Sequence, residues 1–533
     1  MSVKPQQDTA KAKGSWLGAA FKVTLKLIWA ALVIMVPLLG VWVASSLTAY
    51  RGGPVWLACV AGLLAFPIVP LLWDARAQWR WRKKEAQRQS EGKPPRERFM
   101  TFWDRLILRT LALNLVALTA LLLTFPQEGF TALATRGDWM LEERQEPWAE
   151  DTRQVLFASA EGLEWLYDLT RDNPYEQFQP DDQPSPTPTP SPTKKASKDP
   201  KKGKKDKGKA SKGEDKGKKE TKDKGDKGPS KDADARQWPF EAKLHPIVTQ
   251  MPPEAEVSPQ AAAEYIAQKV TDPLMRVKAL HDFVADRIAY DAAGLRDGSY
   301  VHKQDIDTIW KTRTAVCAGY SRLMVEMGKH TGDEILYITG VARDADGTVD
   351  GIGHAWNAVK IEGKWYLMDV TWDAGFIETD WSAGLVSEKF TKRYSTNYFL
   401  TRPDVFGLDH LPDDPRWQLR QEPLTRGAFM RQPLLRPKFY AQGFDLLSPE
   451  RSQISASDKV TFVIDNPQDR FLMARIAARD SKTKGERCEV KQGEQIKIDC
   501  TIKAPGLWSV QFFSSKKQYS TYWSIGRIDV NGR

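Results

Sequence analysis

Three apolar runs of about 20 residues open the chain, at 27–47, 53–73 and 106–125; the first two carry no charge and the third is interrupted near its start by Arg109. A bilayer core takes about 20 apolar residues per helix, so the pattern predicts three transmembrane helices and a membrane anchor over residues 1–126. Val155, Leu156, Leu163, Leu166 and Leu169 then fall near helical spacing, which predicts a partly helical stalk at 127–182. Proline alternating with serine or threonine, followed by a lysine-rich run, cannot bury a core and predicts a disordered linker at 183–236.

Globular patterning begins after Trp238. Helices are predicted at 261–270 and 273–288. Val316, Tyr320, Leu323, Met324 and Met327 share one helical face, which puts Cys317 at a helix start. The run from Gly353 reads as a strand, Glu362-Gly363 as a two-residue turn, and Lys364 onward as the return strand. Past residue 437, short alternating strands are predicted at 459–464, 471–478, 486–490, 495–501, 506–514 and 519–530. Six or seven strands in about 90 residues suggest a β-sandwich of immunoglobulin type at 437–533.

The formal net charge of +10 invites a nucleic-acid reading, but residues 194–236 hold 18 basic and 9 acidic residues and so account for most of it. Two further basic stretches flank the apolar runs, and no basic patch with interleaved aromatics is left, so no nucleic acid is expected. Lys4, Lys11, Lys13, Lys22 and Lys26 precede the first run, and ten Lys and Arg residues from Arg76 to Arg105 lie between the second and third. The positive-inside rule then places both in the cytoplasm, and three crossings put the rest outside: a multi-pass plasma (inner) membrane protein with extracytoplasmic C-terminal domains. Cys488 and Cys500, flanking a short connection between strand-like segments, suit a disulfide in that compartment. The linker lysines offer contact to anionic lipid or cell-wall polymers. There is no CxxC pair and no calcium loop, and neither a metal nor a cofactor is expected.

The chemistry gathers in the middle of the chain, where all six histidines lie between His245 and His410. A helix start favours thiolate over thiol at Cys317, and its backbone N–H groups can serve an oxyanion hole. A two-residue turn pairs Ile361 with Lys364; counting back, Trp356 faces Asp369, and His354 and Asp369 emerge on one face as diagonal neighbours. A carboxylate beside an imidazole stabilises its cation, which in turn holds a thiolate. Asp373, with the same parity as Asp369 but past the hairpin's end, is the competing carboxylate. The candidate catalytic residues are Cys317, His354 and Asp369.

Arg313-Thr-Ala-Val-Cys317-Ala-Gly-Tyr, His354-Ala-Trp-Asn-Ala-Val and Lys364-Trp-Tyr-Leu-Met-Asp369-Val-Thr-Trp-Asp resemble the three core motifs of the transglutaminase-like superfamily. The stretch from Tyr398 through Gln418 resembles its kyphoscoliosis-peptidase branch, and the likeness covers residues 238–418. The resemblance implies a papain-like α+β core at 237–436, with Cys317, His354 and Asp369 as the triad. It also implies a cysteine peptidase or amidase acting on protein or peptide substrate through a thioester, hydrolysis being favoured over cross-linking. The alternative is a non-catalytic scaffold that binds extracytoplasmic protein or cell-wall partners.

Overall fold

The computed structural model of the chain describes residues 9–53, 55–96, 100–142, 144, 146–168, 173–181, 183, 238–343, 353–380, 385–479, 481 and 483–533. Apart from Gln183, the predicted linker at 183–236 lies outside the described residues. The chain divides into two units, one of Met1–Asn173, Arg343–Ile352 and Leu424–Arg533, the other of Pro174–Ala342 and Gly353–Pro423.

The first unit opens with the helix Thr9–Tyr50, a helical run over Val55–Ser90 and the helix Phe102–Thr124. Two stretches, Leu27–Tyr50 and Val55–Ser90, are long and apolar enough to cross a membrane. Among the described residues, two of the three expected spans meet that test. The predicted third run forms a helix, but it carries a polar stripe that a simple count of apolar residues misses. Arg105 and Arg109, one turn apart, both pair with the buried Asp74 of the preceding helix. Thr110 and Asn114 continue the stripe and are buried, and a Cβ on Gly40 would overlap the Asn114 side chain.

The segment expected to be a stalk is instead packed. Its helices Pro126–Arg136 and Pro147–Glu161 bury Phe130, Leu133 and Phe157. Trp42 donates its indole N–H to the Gly137 carbonyl at 2.8 Å. Arg431 reaches the Ala134 carbonyl at 2.8 Å and Glu161 at 2.9 Å. Asp138, fully buried, is paired with Arg153 and Arg451. Apart from Arg153, these partners lie far away in the chain, so local periodicity could not reveal them.

The C-terminal strands build two sheets around one apolar core. One sheet has the order 455–456, 523–532, 506–515, 471–478, 486–487; the other runs 489–491, 495–501, 459–465, 445–448. Phe462, Ile464, Leu472, Ile476, Ile498, Val510 and Phe512 fill the space between them. Alternate residues of Lys459–Asp465 are buried, as a strand with one face on the core requires. Cys488 sits where the chain leaves one sheet for the other, and it is bonded to Cys500 with a Cα–Cα separation of 4.5 Å.

In the second unit, the helices Pro259–Lys269, Pro273–Arg287 and Cys317–Thr331 pack beside a four-stranded antiparallel sheet. Ser258 and Asp272 cap the first two helices through their side-chain oxygens. The strand order is Lys364–Met368, Gly353–Ile361, Ile335–Ala342, His410–Pro412. Glu362 and Gly363 both have positive φ, 49° and 79°, as a tight hairpin turn demands, and Ile361 pairs with Lys364. Gly340, on the middle strand, lies opposite His354 on one side and Pro412 on the other. A Cβ there would collide with the Leu411 carbonyl and Trp356, so glycine lets the His410 strand come close. This unit also takes in residues assigned above to the stalk and the linker: Tyr175 is buried, and Gln183 exchanges hydrogen bonds of 2.8 Å with both backbone groups of Tyr337.

Candidate active site

Cys317 is the first residue of its helix, and Val316 before it is extended. The Val316 carbonyl accepts from Gly319 and Tyr320, which starts the helical ladder, and the Val316 N–H donates to Gln304 Oε1 at 3.2 Å. A Cβ on Gly319 would lie 2.6 Å from both Ala315 and Gln304, so this first turn needs glycine. The Cys317 side chain is buried, 1% exposed. Orphan N–H groups and the positive end of the helix dipole meet at this position.

His354 comes from the adjoining strand. The return strand stays paired as far as Asn357 with Met368, after which the chain turns into the short helix Val370–Ala374. Asp369 therefore stands at the helix start, past the last ladder pair, and does not face Trp356 across the ladder as the sequence count implied. Asp369 Oδ1 accepts the Thr371 and Trp372 N–H groups at 2.9 and 3.2 Å. That leaves Oδ2 facing His354 Nε2 at 2.8 Å. Nδ1 is the ring nitrogen that Asp369 does not use, and Cys317 is near enough to raise the imidazole's pKa.

The charges follow from this geometry. Burial disfavours the His354 cation, but Asp369 and Cys317 outweigh it, and the imidazole is pushed up to about 10. Burial alone would raise Asp369; His354 and His410 instead hold it well below the usual carboxylate range. Since His354 is raised, its contribution to stability is fully present below the unfolded value of about 6.5. That contribution is lost as pH rises through about 10. The contribution of Asp369, being depressed, is present above its unfolded value and lost as pH falls below it.

The competing carboxylate has a different partner. Asp373 accepts from Ser395 at 2.5 Å and from the Tyr398 N–H, and it faces the buried His281 Nε2 at 3.2 Å. His281 also meets Asp282 at 3.0 Å, and Asp282 in turn holds Lys278 and Tyr394. Burial works against a charged His281, but hydrogen bonds to Asp282 and Asp373 outweigh it and raise its pKa.

Two groups at the site escaped the sequence reading. Tyr175 lies 142 positions before Cys317 in the chain, yet it is buried near that side chain, and burial and the sulfur shift its hydroxyl well upward. His410 Nε2 stands 3.1 Å from the same Asp369 Oδ2 that His354 uses. The only signal for His410 was its place inside the Tyr398–Gln418 stretch. His354, Asp369 and His410 offer ligand atoms within 4.8 Å of one another, as a metal site would. Hydrogen bonding already satisfies this set, because both imidazoles aim Nε2 at one carboxylate oxygen.

Residues 260–370, which include all three candidate residues, match the family described as the transglutaminase-like superfamily. The chain is 31% identical over 210 residues to the kyphoscoliosis peptidase of Homo sapiens, covering 38% of this chain and 30% of that protein. It is 30% identical over 217 residues to the kyphoscoliosis peptidase of Mus musculus, covering 39% and 31%. The match thus spans about three tenths of the length of these curated relatives. A solved structure described as a crystal structure of a TGase is 23% identical and covers 21% of this chain and 29% of its own, with a TM-score of 0.18. That superposition adds nothing to the fold described above.

Proposed function

We propose that this chain, which carries a transglutaminase-like domain of the kyphoscoliosis-peptidase-like branch, is a membrane-anchored cysteine enzyme acting on protein or peptide amides. The observation that carries this reading is His354, whose Nε2 stands 2.8 Å from Asp369 Oδ2 and whose imidazole is coupled to Cys317. The Cys317 thiolate attacks the amide carbonyl carbon, and the carbonyl electron pair moves to oxygen, near the N–H groups of the helix start. As the intermediate collapses, the C–N bond breaks and His354 gives its proton to the departing amine, leaving a thioester. His354 then takes a proton from water, which attacks the thioester and releases acid and thiol. An amine in place of water gives a cross-link. Hydrolysis is preferred because the related proteins are named peptidases.

Brief exposure of the full chain to a pool of peptide amides and activated esters, followed by intact-mass measurement, should reveal an acyl adduct that maps to Cys317. Release of amine that persists in Cys317→Ala would rule out the thiol mechanism. A second reading, a non-catalytic scaffold, is favoured by one fact: Cys317 is 1% exposed. On that reading no adduct forms at any concentration.

The Cys488–Cys500 bond supports an oxidising, extracytoplasmic location for the second half of the chain, with the C-terminal sheets as an immunoglobulin-like binding module. The location also needs an odd number of crossings, so it turns on the helix Phe102–Thr124. An alkaline phosphatase reporter fused after Arg533 should be active; activity only from a cytoplasmic reporter there would place the catalytic unit on the inner side.

A further inference from the structure

His410 takes no part in the steps above, yet it is 1% exposed and fixed at both ring nitrogens. Nε2 meets Asp369 Oδ2 at 3.1 Å, and Nδ1 meets Asp409 Oδ1 at 2.7 Å. Asp409 Oδ2 accepts the Tyr398 hydroxyl at 2.6 Å. The ring lies among Phe406, Trp372, Trp356 and Tyr398, with centroids 4.2, 4.5, 5.1 and 5.4 Å away. Aromatic walls on this scale hold an imidazole in one orientation and exclude water that would otherwise serve Asp369. The strand that carries His410 is admitted by Gly340, so the approach is built into the sheet.

We propose that His410 is a positioning residue for the triad: backed by Asp409 and Tyr398, it donates to Asp369 and sets the direction and strength of that carboxylate's hold on His354. The inference rests on the triad reading and extends it from three side chains to six. A carboxylate accepts but does not donate, so Asp369 Oδ2 is shared between two N–H donors. Removing the His410 donor frees the carboxylate to tilt away from His354, which weakens its hold on the imidazolium and so disfavours the thiolate at Cys317. The titratable groups facing this chain are few. Cys317 is electrostatically coupled to His354, Tyr175, Tyr290, Tyr300 and Tyr337. Asp369 is bonded to His354 and His410 and coupled to Tyr290 and Tyr320.

The test is the pH profile of iodoacetamide alkylation at Cys317 in the detergent-solubilised full chain. A Cys59→Ser background removes the other free thiol. His410→Asn keeps a donor at the Nδ1 position towards Asp409 but loses the one towards Asp369; His410→Gln reaches Asp369. His410→Asn should move the half-maximal pH of alkylation upward by about one unit, the scale of one hydrogen bond to a charged group, with the melting temperature nearly unchanged. His410→Gln should restore most of the shift. A profile unchanged in His410→Asn, or an equal shift in both variants accompanied by equal destabilisation, overturns the proposal. If His410→Asn does not fold, Tyr398→Phe decides instead: a smaller upward shift supports the relay and an unchanged profile overturns it. Failure of the triad reading is seen separately, as a wild-type profile that His354→Ala leaves untouched.

Discussion

Asp369→Asn should lower turnover about 10⁴-fold while leaving the fold intact, the scale seen when a triad aspartate is replaced by its amide. The fold should survive because an asparagine carbonyl can still accept the Thr371 and Trp372 N–H groups that Asp369 Oδ1 holds now. The damage falls on the other atom. An amide NH₂ in place of Oδ2 would point donors at His354 Nε2 and His410 Nε2, which are 2.8 and 3.1 Å from that oxygen. His354 must then present a bare Nε2 to the amide and carry its proton on Nδ1, where Cys317 needs an acceptor. The pKa of His354, pushed up to about 10 chiefly by Asp369 against burial, should fall back as well. The measurement is the rate of amine release at pH 7, with a thermal melt as control. A loss under tenfold in a folded variant would remove Asp369 from the triad.

His354→Ala should slow alkylation of Cys317 at pH 6 by about 100-fold, again in the Cys59→Ser background. An ordinary thiol of pKa about 8.5 is roughly 0.3% ionised at pH 6, whereas a thiolate paired with an imidazolium is largely formed. Because His354 holds its proton up to about 10, the pair persists across the neutral range, and the difference should shrink as pH approaches 9. Equal rates for the two proteins at pH 6 would leave Cys317 a plain buried thiol and return the scaffold reading to first place.

Asp373→Asn offers a contrast within one short helix. Its carboxylate belongs to His281, Ser395 and the Tyr398 N–H, none of which touches Cys317. It lies four positions after Asp369, and parity along the strand made the two look alike. The chain leaves the ladder after Met368, so strand parity ceases to apply at the first candidate and says nothing of the second.

By itself, the sequence determined what short-range physics controls. The helix that starts at Cys317 was legible because apolar residues recur at helical spacing over a few turns. The hairpin register was legible because a two-residue turn at Glu362-Gly363 leaves one pairing, Ile361 with Lys364. The alternation that marked Phe471 to Ala478 and Gln495 to Thr501 as strands is likewise local. Tertiary structure alone decided the partners across long separations: Tyr175 on Cys317, His410 on Asp369, His281 on Asp373, and Arg431 and Arg451 on the helices that looked like a stalk. It also turned Arg105 and Arg109 from tolerated charges in an apolar run into partners of a buried aspartate. Periodicity tells which face of an element is buried. It does not say what that face meets, because packing of the whole chain, with each buried polar atom seeking a partner, makes that choice.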